Sequence, residues 1–320
     1  MKRVTAAAAV CAAFFAPFAG AQSYPAKSIR IIVPFAAGGN TDITARAIAD
    51  RLSPVLKQQI LIDNRAGAMT NIGSEAVARA APDGYTFLMG GASNAVNMTF
   101  QAKLPYDTMR DFEHVILCVM GANVLSTHPS LPVRNLKELI ALAKAQPGKL
   151  NYASSGLGGS NHMAGEMLKM MAGINIAHIP YKGNAPAITD TVGGHVHMMF
   201  SGVPALLPHF ESGRLRAIAI GSLKRFSAIP KVPTFDESGL KGYEATTWFG
   251  LMAPAKTPKD IVARWNVEVD KILKSDELRQ RFINDGLEPM GGSSESFTKF
   301  IRSEIDKYAK VIKAAGITPQ

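Results

Sequence analysis

From residue 29 onward, short runs rich in valine, isoleucine and phenylalanine alternate with longer segments whose apolar residues recur at helical spacing. Strands that alternate with helices return through crossovers to one sheet, so the pattern predicts a parallel α/β architecture. Residues 29–34 read as a buried strand, and 41–56 as a helix with Ile43, Ala47, Ile48 and Leu52 on its apolar face. Further strands are expected at 60–63, 86–89, 150–153, 176–180, 195–200 and 216–220, with helices at 72–80, 135–145, 160–172 and 186–192. One more strand, 246–252, precedes a tail that reads as wholly helical. There Thr257 and Asp260 flank Pro258 as a capping-box variant, and Ile261, Trp265, Val269 and Ile272 mark a buried face. A last helix starts near Ser294 and stops at Gly316.

The first 21 residues have a different character. Lys2 and Arg3 precede an almost wholly apolar stretch, 4–18, which Ala19-Gly20-Ala21 closes with the small residues of a signal-peptidase site. The stretch falls short of the roughly 20 apolar residues that span a bilayer. Residues 1–21 are therefore expected to be a cleavable signal peptide and the mature chain a soluble periplasmic protein. Removal of the leader leaves 299 of the 320 residues, enough for two lobes. The strand at 246–252 is expected to return to the first sheet, which gives a discontinuous first lobe, 22–124 plus 246–320, and a second lobe, 125–245. Only Cys118 remains after cleavage, inside the apolar run 115–120, so it reads as a buried hydrophobe with no disulfide partner. The net charge of +10 is spread without basic runs or interleaved aromatics. That pattern speaks against nucleic acid and for a mild pull on small anions.

The informative segments are strand-to-helix turns. Phe35-Ala36-Ala37-Gly38-Gly39-Asn40-Thr41-Asp42 ends a strand, lets the backbone approach a ligand at its glycines, and opens a helix. Ser154-Ser155-Gly156-Leu157-Gly158-Gly159-Ser160-Asn161-His162 repeats the design in the second half, and Lys182-Gly183-Asn184 is a third instance. Each offers free N–H groups at a helix start, where the helix dipole also favours an anion. In open α/β sheets such turns lie at the carboxyl ends of strands, where ligands bind. The candidate ligand-binding residues are Phe35, Ala37, Gly38, Gly39, Thr41, Asp42, Ser93, Asn94, Ser154, Ser155, Gly158, Ser160, His162, Lys182, Gly183 and Ser201.

Other chemistries lack their residues. No phosphate-binding loop motif is present, and Asn161 stands where a dinucleotide fingerprint needs its third glycine. Gly91-Ala92-Ser93-Asn94-Ala95 lacks the final glycine of a nucleophile elbow. His195 and His197 share a strand face but have no cysteine or carboxylate at ligand spacing. No catalytic residue, metal or cofactor is therefore expected.

Taken together, IVPFAAGGNTD (32–42), NRAGA (64–68), PDGYT (82–86), LNYASSGLGGSNHMAGE (150–166), PYKGNAPAITD (180–190) and GRLRAIA (213–219) resemble the periplasmic receptors of tripartite tricarboxylate transporters, the Bug family. The resemblance runs in order over the whole mature chain. It implies an α/β, two-lobed periplasmic binding protein of the Venus-flytrap, type II-like class, with a carboxylate held in the cleft largely by main-chain groups. The implied partners are that small organic carboxylate and the membrane permease subunits, with the receptor itself a monomer. Two departures stand out. Met69 and Thr70 follow Gly67-Ala68 where relatives carry two glycines, and Ser201 stands where many relatives carry an acidic residue. The second favours a ligand without an amino group. A sensor subunit feeding a two-component system and, more remotely, a periplasmic hydrolase or lyase are the alternatives.

Overall fold

In the computed structural model, which describes residues 24–181 and 183–318, the first β-branched run forms β1 (Ile29–Val33), buried apart from Arg30 as an interior parallel strand requires. The expected leader and Lys182 lie outside the described residues. The chain continues through α1 (Asn40–Leu56), β2 (Ile60–Asn64), a short 3-10 turn (Ala68–Thr70), α2 (Asn71–Ala78), β3 (Thr86–Gly91), α3 (Ala92–Phe100) and β4 (Phe112–Thr127). Then come α4 (Leu136–Ala145), β5 (Asn151–Ser154), α5 (Ser160–Ala172), β6 (Ala177–Pro180), α6 (Asn184–Val192), β7 (Met198–Gly202), α7 (Val203–Glu211) and β8 (Arg216–Ile220). The last segment holds β9 (Thr246–Pro254), α8 (Lys259–Leu273), α9 (Asp276–Asn284), β10 (Leu287–Pro289) and α10 (Ser294–Ala314).

The strands line up as β2-β1-β3-β9-β4-β7-β5-β6, and β8 and β10 also pair with β4. β1 is parallel to β2 and β3, and β5 is parallel to β6 and β7, as crossover helices dictate. The expectation of a parallel sheet fails at the centre. There β9 is antiparallel to both β3 and β4, and β4 is antiparallel to β7, β8 and β10. β4 is 16 residues long, and its two parts belong to different neighbourhoods. Its first part, Phe112–Ala122, pairs with β9, whereas Asn123–Thr127 pairs with β7. A strand that runs from one βαβ set into the other is free of the parallel rule that each set obeys.

Three passes of the chain are tied together where the two sets meet. The Gly221 N–H donates to the Asn123 carbonyl at 2.8 Å, the Ala245 N–H to Gly221 at 2.8 Å, and the Asn123 N–H to Ala245 at 3.2 Å. One core underlies β1, β3 and the first part of β4, and includes Trp265 of α8 stacked on Phe87 at 3.9 Å. A second holds residues from α3, α5 and α10 and so runs through both halves, and a third packs α6 and α7 on β7. Cys118 is buried in the first core, and burial pushes its thiol up to about 12, which leaves it inert near neutral pH. Among the described residues no helix is long and apolar enough to cross a membrane.

Several local expectations are corrected. The tail is not wholly helical, because Leu287–Pro289 pairs with β4. The Thr257 hydroxyl donates back to the Pro254 carbonyl at 2.7 Å and caps nothing, since Pro258 occupies the N-cap of α8. β7 begins at Met198, so His195 and His197 precede it, and His197 instead pairs with Asn151 at 2.7 Å. Helices α3 and α7 were not anticipated.

The junction generates a stability prediction. A β-carbon on Gly221 would lie 2.5 Å from the Ala245 carbonyl oxygen and 3.1 Å from that of Asn123. Gly221→Val is expected to lower unfolding stability by about 1–3 kcal/mol, the usual cost of overpacking. Urea denaturation reads this directly, and an unchanged midpoint would show that the crossing gives way freely.

Candidate functional site

The first N–H groups of a helix have no partner within it, and a glycine at the N-cap has no side chain to supply one. Five helices that follow directly from strand ends begin in this way: α1 after Gly39, α3 after Gly91, α5 after Gly159, α6 after Gly183 and α7 after Gly202. None of the five glycines can itself accept from its helix, although in α5 the Asn161 Oδ1 accepts the His162 N–H at 3.2 Å. By contrast, α4 is capped by Asn135 and α10 by Ser293, each accepting from a backbone N–H in its first turn. The glycine-capped starts thus present amides and the positive dipole end to whatever lies beyond the strands.

The turns before α1 and α5 share one construction. Gly38 and Gly158 both adopt left-handed backbone, at φ +82° and +69°, where a side chain would be strained. Gly39 and Gly159 then take extended conformations at φ −80° and −73°. The requirement for positive φ therefore falls on Gly38, not on Gly39. In each turn the left-handed glycine donates its N–H to a side chain four residues on. Gly38 donates to Asp42 Oδ2 at 2.9 Å and Gly158 to His162 Nδ1 at 3.1 Å.

The two braces differ in charge. Asp42 is buried yet also accepts from Arg46 Nε at 3.0 Å and Asn64 Nδ2 at 3.1 Å. Burial raises its pKa, but the bonds from Arg46, Gly38 and Asn64 outweigh it and hold the carboxyl below the usual range. The same Asn64 amide donates to the Phe35 carbonyl at 3.1 Å, so the end of β2 fixes the first turn. His162 accepts through Nδ1, which places its proton on Nε2 and requires a neutral ring. It stacks on His178 at 4.1 Å, and His178 stacks in turn on Tyr152 at 4.8 Å. Burial, then Lys169, lowers His162 to about 4, and burial, then His162, lowers His178 to about 3. The Tyr152 hydroxyl donates to Glu166 Oε1 at 2.8 Å, and Lys169 pairs with the same buried carboxylate.

The remaining candidates divide by exposure. Ala37, Gly38 and Gly39 are exposed, Ser93, Ser155, Ser160 and Gly183 half-buried, and Thr41, Asn94, Ser154 and Ser201 buried. The Asn94 Oδ1 accepts the Gly91 N–H at 3.0 Å, and Ser155 Oγ donates to Asn161 Oδ1 at 3.0 Å. Ser154 Oγ accepts the Gly156 N–H at 3.2 Å and shares a 2.6 Å hydrogen bond with His178 Nε2. Gly183 donates to the Ser155 carbonyl at 3.0 Å, which holds the start of α6 beside that of α5. Ser201 Oγ is buried without a hydrogen-bond partner.

Contacts also cross between the halves. A β-carbon on Gly202 would sit 3.5 Å from Asn40 Nδ2, so the starts of α1 and α7 adjoin. The Phe100 ring meets His162 edge-on at 6.1 Å, and the Met69 methyl lies over Gly158. Asn40, Met69, Gly159 and Gly202 were absent from the sequence-based set. Gly202-Val203-Pro204 carried a usable signal, a glycine cap with proline in the first turn. Two surface hollows, of about 450 Å³ against Met167, Met170 and Lys310 and about 250 Å³ against Met120, Lys224 and Met290, touch none of the glycine-capped starts.

A family model described as the tripartite tricarboxylate transporter family receptor matches residues 44–317. Protein BugT of Bordetella pertussis is 38% identical over 298 residues, which cover 92% of this chain and 91% of BugT. The solved structure of R. palustris Rpa4515 with adipate is 38% identical, with a TM-score of 0.85 over 93% of this chain and 100% of that one. MatC from Rhodopseudomonas palustris with bound malate is 29% identical, with a TM-score of 0.81 over 90% of this chain and 100% of MatC.

The imidazole brace generates a pH prediction. His162 and His178 hold protons more weakly folded than unfolded, so the unfolded chain takes them up first as pH falls through about 6.5. Their contribution is full above that pH and is lost on the way down to about 4 for His162 and about 3 for His178. Unfolding stability should drop by roughly 2–3 kcal/mol over that window from His162 alone. In His162→Asn, which keeps an acceptor for the Gly158 N–H, the slope should flatten. Urea denaturation at stepped pH measures it, and equal slopes in both proteins would refute the assignment.

Proposed function

The chain belongs to the tripartite tricarboxylate transporter receptor family, and from this we propose that it captures a small organic carboxylate between its two α/β lobes. Members of the family are periplasmic receptors, and the solved relatives are binding proteins. The observation that carries the reading is the set of glycine-capped helix starts α1, α3, α5, α6 and α7. A carboxylate supplies the acceptors that those amides lack, and the dipoles favour its charge. The relatives solved with adipate and malate are consistent with such an anion.

In this reading the exposed backbone of Ala37 and Gly39 meets the ligand from one lobe and Ser160 from the other, while Gly38, Gly158 and Gly183, whose N–H groups donate to Asp42, His162 and Ser155, shape the turns. Asp42, Asn94, Ser154 and His162 act on the ligand through the turns they brace, because their polar atoms are already engaged there. Ser201 offers an unpartnered hydroxyl that a ligand oxygen or a water can satisfy. The lobes comprise 22–124 with 246–320, and 125–245, joined at the Asn123–Gly221–Ala245 crossing. The leader at 1–21 directs the chain to the periplasm, and membrane permease subunits receive the ligand.

Catalysis has no support from the buried pair Ser154 and His178. A histidine lowered to about 3 is a poor base near neutral pH, and Ser154 is buried, with its hydroxyl also placed 3.0 Å from the Gly156 carbonyl. We therefore assign binding without turnover.

Gly39→Val tests the site. Its β-carbon would meet nothing closer than the Ala36 carbonyl oxygen at 3.6 Å, so the unliganded variant should melt close to the wild-type temperature. The branched side chain would stand before the α1 amides. Each charge-assisted bond lost, at about 1.5–3 kcal/mol, should weaken binding by roughly tenfold or more. A thermal-shift screen of mono-, di- and tricarboxylates finds the ligand, and calorimetric titration of the variant reads the loss. Wild-type protein stabilised by no carboxylate would overturn the assignment, and undiminished affinity in Gly39→Val would remove the α1 turn from the site.

A further inference from the structure

Met69 is held in a conformation that side chains avoid. Gly67 has φ +130°, and Ala68, Met69 and Thr70 follow at +43°, +54° and +77°. Three consecutive left-handed residues with β-carbons are disfavoured by clash with the following carbonyl, and they persist only where surrounding structure imposes them. Here the buried Asn97 donates through Nδ2 to the Met69 carbonyl at 2.8 Å and to Asn71 Oδ1 at 3.1 Å, while Thr70 is buried beneath. The strain has a directed result. It carries the Met69 side chain across from the first half of the chain, so that its methyl takes the place where a Gly158 β-carbon would be.

Gly158 sits directly before the N-cap of α5, so the thioether lies beside a turn that presents amides. The Phe100 ring flanks the same spot at 3.6 Å, and the neighbouring Leu157 is 40% exposed at the tip of the turn. Met69, backed by the buried Phe100 ring and with Leu157 exposed next in sequence to Gly158, thus stands beside the start of α5. A thioether adapts its shape to apolar surface but cannot donate to a hydroxyl.

We propose that Met69 is a specificity-determining residue, forming an apolar wall that selects carboxylates with an unsubstituted carbon chain over hydroxylated ones. The inference rests on the carboxylate-binding reading. A ligand hydroxyl set against the Met69 thioether would lose its water partners without gaining others, whereas methylene groups would gain contact.

Adipate and malate serve as probes, one with an unsubstituted chain and one with a hydroxyl. Calorimetric titration of the full mature chain should give tighter binding for adipate. Met69→Gln keeps the length and supplies a polar end, and it should shift the adipate-to-malate affinity ratio towards malate by about tenfold. Met69→Gly removes the wall, and relief of the left-handed position offsets part of the packing it loses, so it should lose affinity chiefly for adipate. Equal losses for both ligands would make Met69 a general clasp between lobes and overturn the inference, as would an unchanged ratio. Absence of adipate binding by wild type would also overturn it, whereas the parent reading falls only if the whole carboxylate screen is silent.

Discussion

The binding turns depend on one hydrogen bond, from the N–H of a left-handed glycine to a side chain on the first turn of the helix that follows. Without it, the glycine pair would have no reason to stop in a single conformation, and the helix start would not face a defined direction. Gly38 with Asp42 and Gly158 with His162 make the bond in opposite halves, 2.9 and 3.1 Å long. Because the brace occupies only the N–H of the first glycine, the amides that open the helix stay available, apart from that of His162, which Asn161 Oδ1 accepts at 3.2 Å. Structure and binding capacity are thereby divided between neighbouring residues.

The same device carries different chemistry in the two halves. A carboxylate braces the first turn and draws in Arg46 and Asn64, so that turn is fastened to its own helix and to β2. An imidazole braces the second and must stay neutral to do so, which its burial, with Lys169 nearby, secures while it stacks on His178 and meets Phe100 edge-on. A protonated His162 would turn an acceptor into a donor facing another donor. The second turn is therefore coupled to proton activity in a way that the first is not.

Closure of one turn upon the other depends on β4 and β9. These strands pass between the two βαβ sets, and the Asn123–Gly221–Ala245 bonds hold three chain passes at a single crossing. A narrow crossing lets the lobes share a cleft while each keeps its own set of parallel βαβ strands. The Met69 and Asn40 contacts then lie at different places across that cleft, against Gly158 and Gly202. In the proposed reading, a ligand meets apolar surface near one and paired helix starts near the other.

Local chemistry was legible along the chain. The runs that became β1, β5 and β8 and the periodic segments that became α1, α5 and α10 were visible, because burial of one strand face or helix stripe leaves a repeat in the residues themselves. The Gly-Gly turns were visible for a related reason, since only glycine tolerates the backbone they need. The antiparallel centre was not, because a strand carries no mark of its partner's direction, and β10 is only three residues long. Asp42 and His162 were legible as polar residues of a helix start, but their common role was not, since it depends on how each turn folds back. The reach of Met69 to Gly158 was equally hidden: 89 positions separate them, and the contact exists only once β4 and β9 have brought the halves together. The sequence by itself determined which segments become elements and which turns can offer amides, because those properties reside in neighbouring residues. Which turns share a cleft, and what stands beside them, only the tertiary structure decided, because those contacts are made between distant residues by packing.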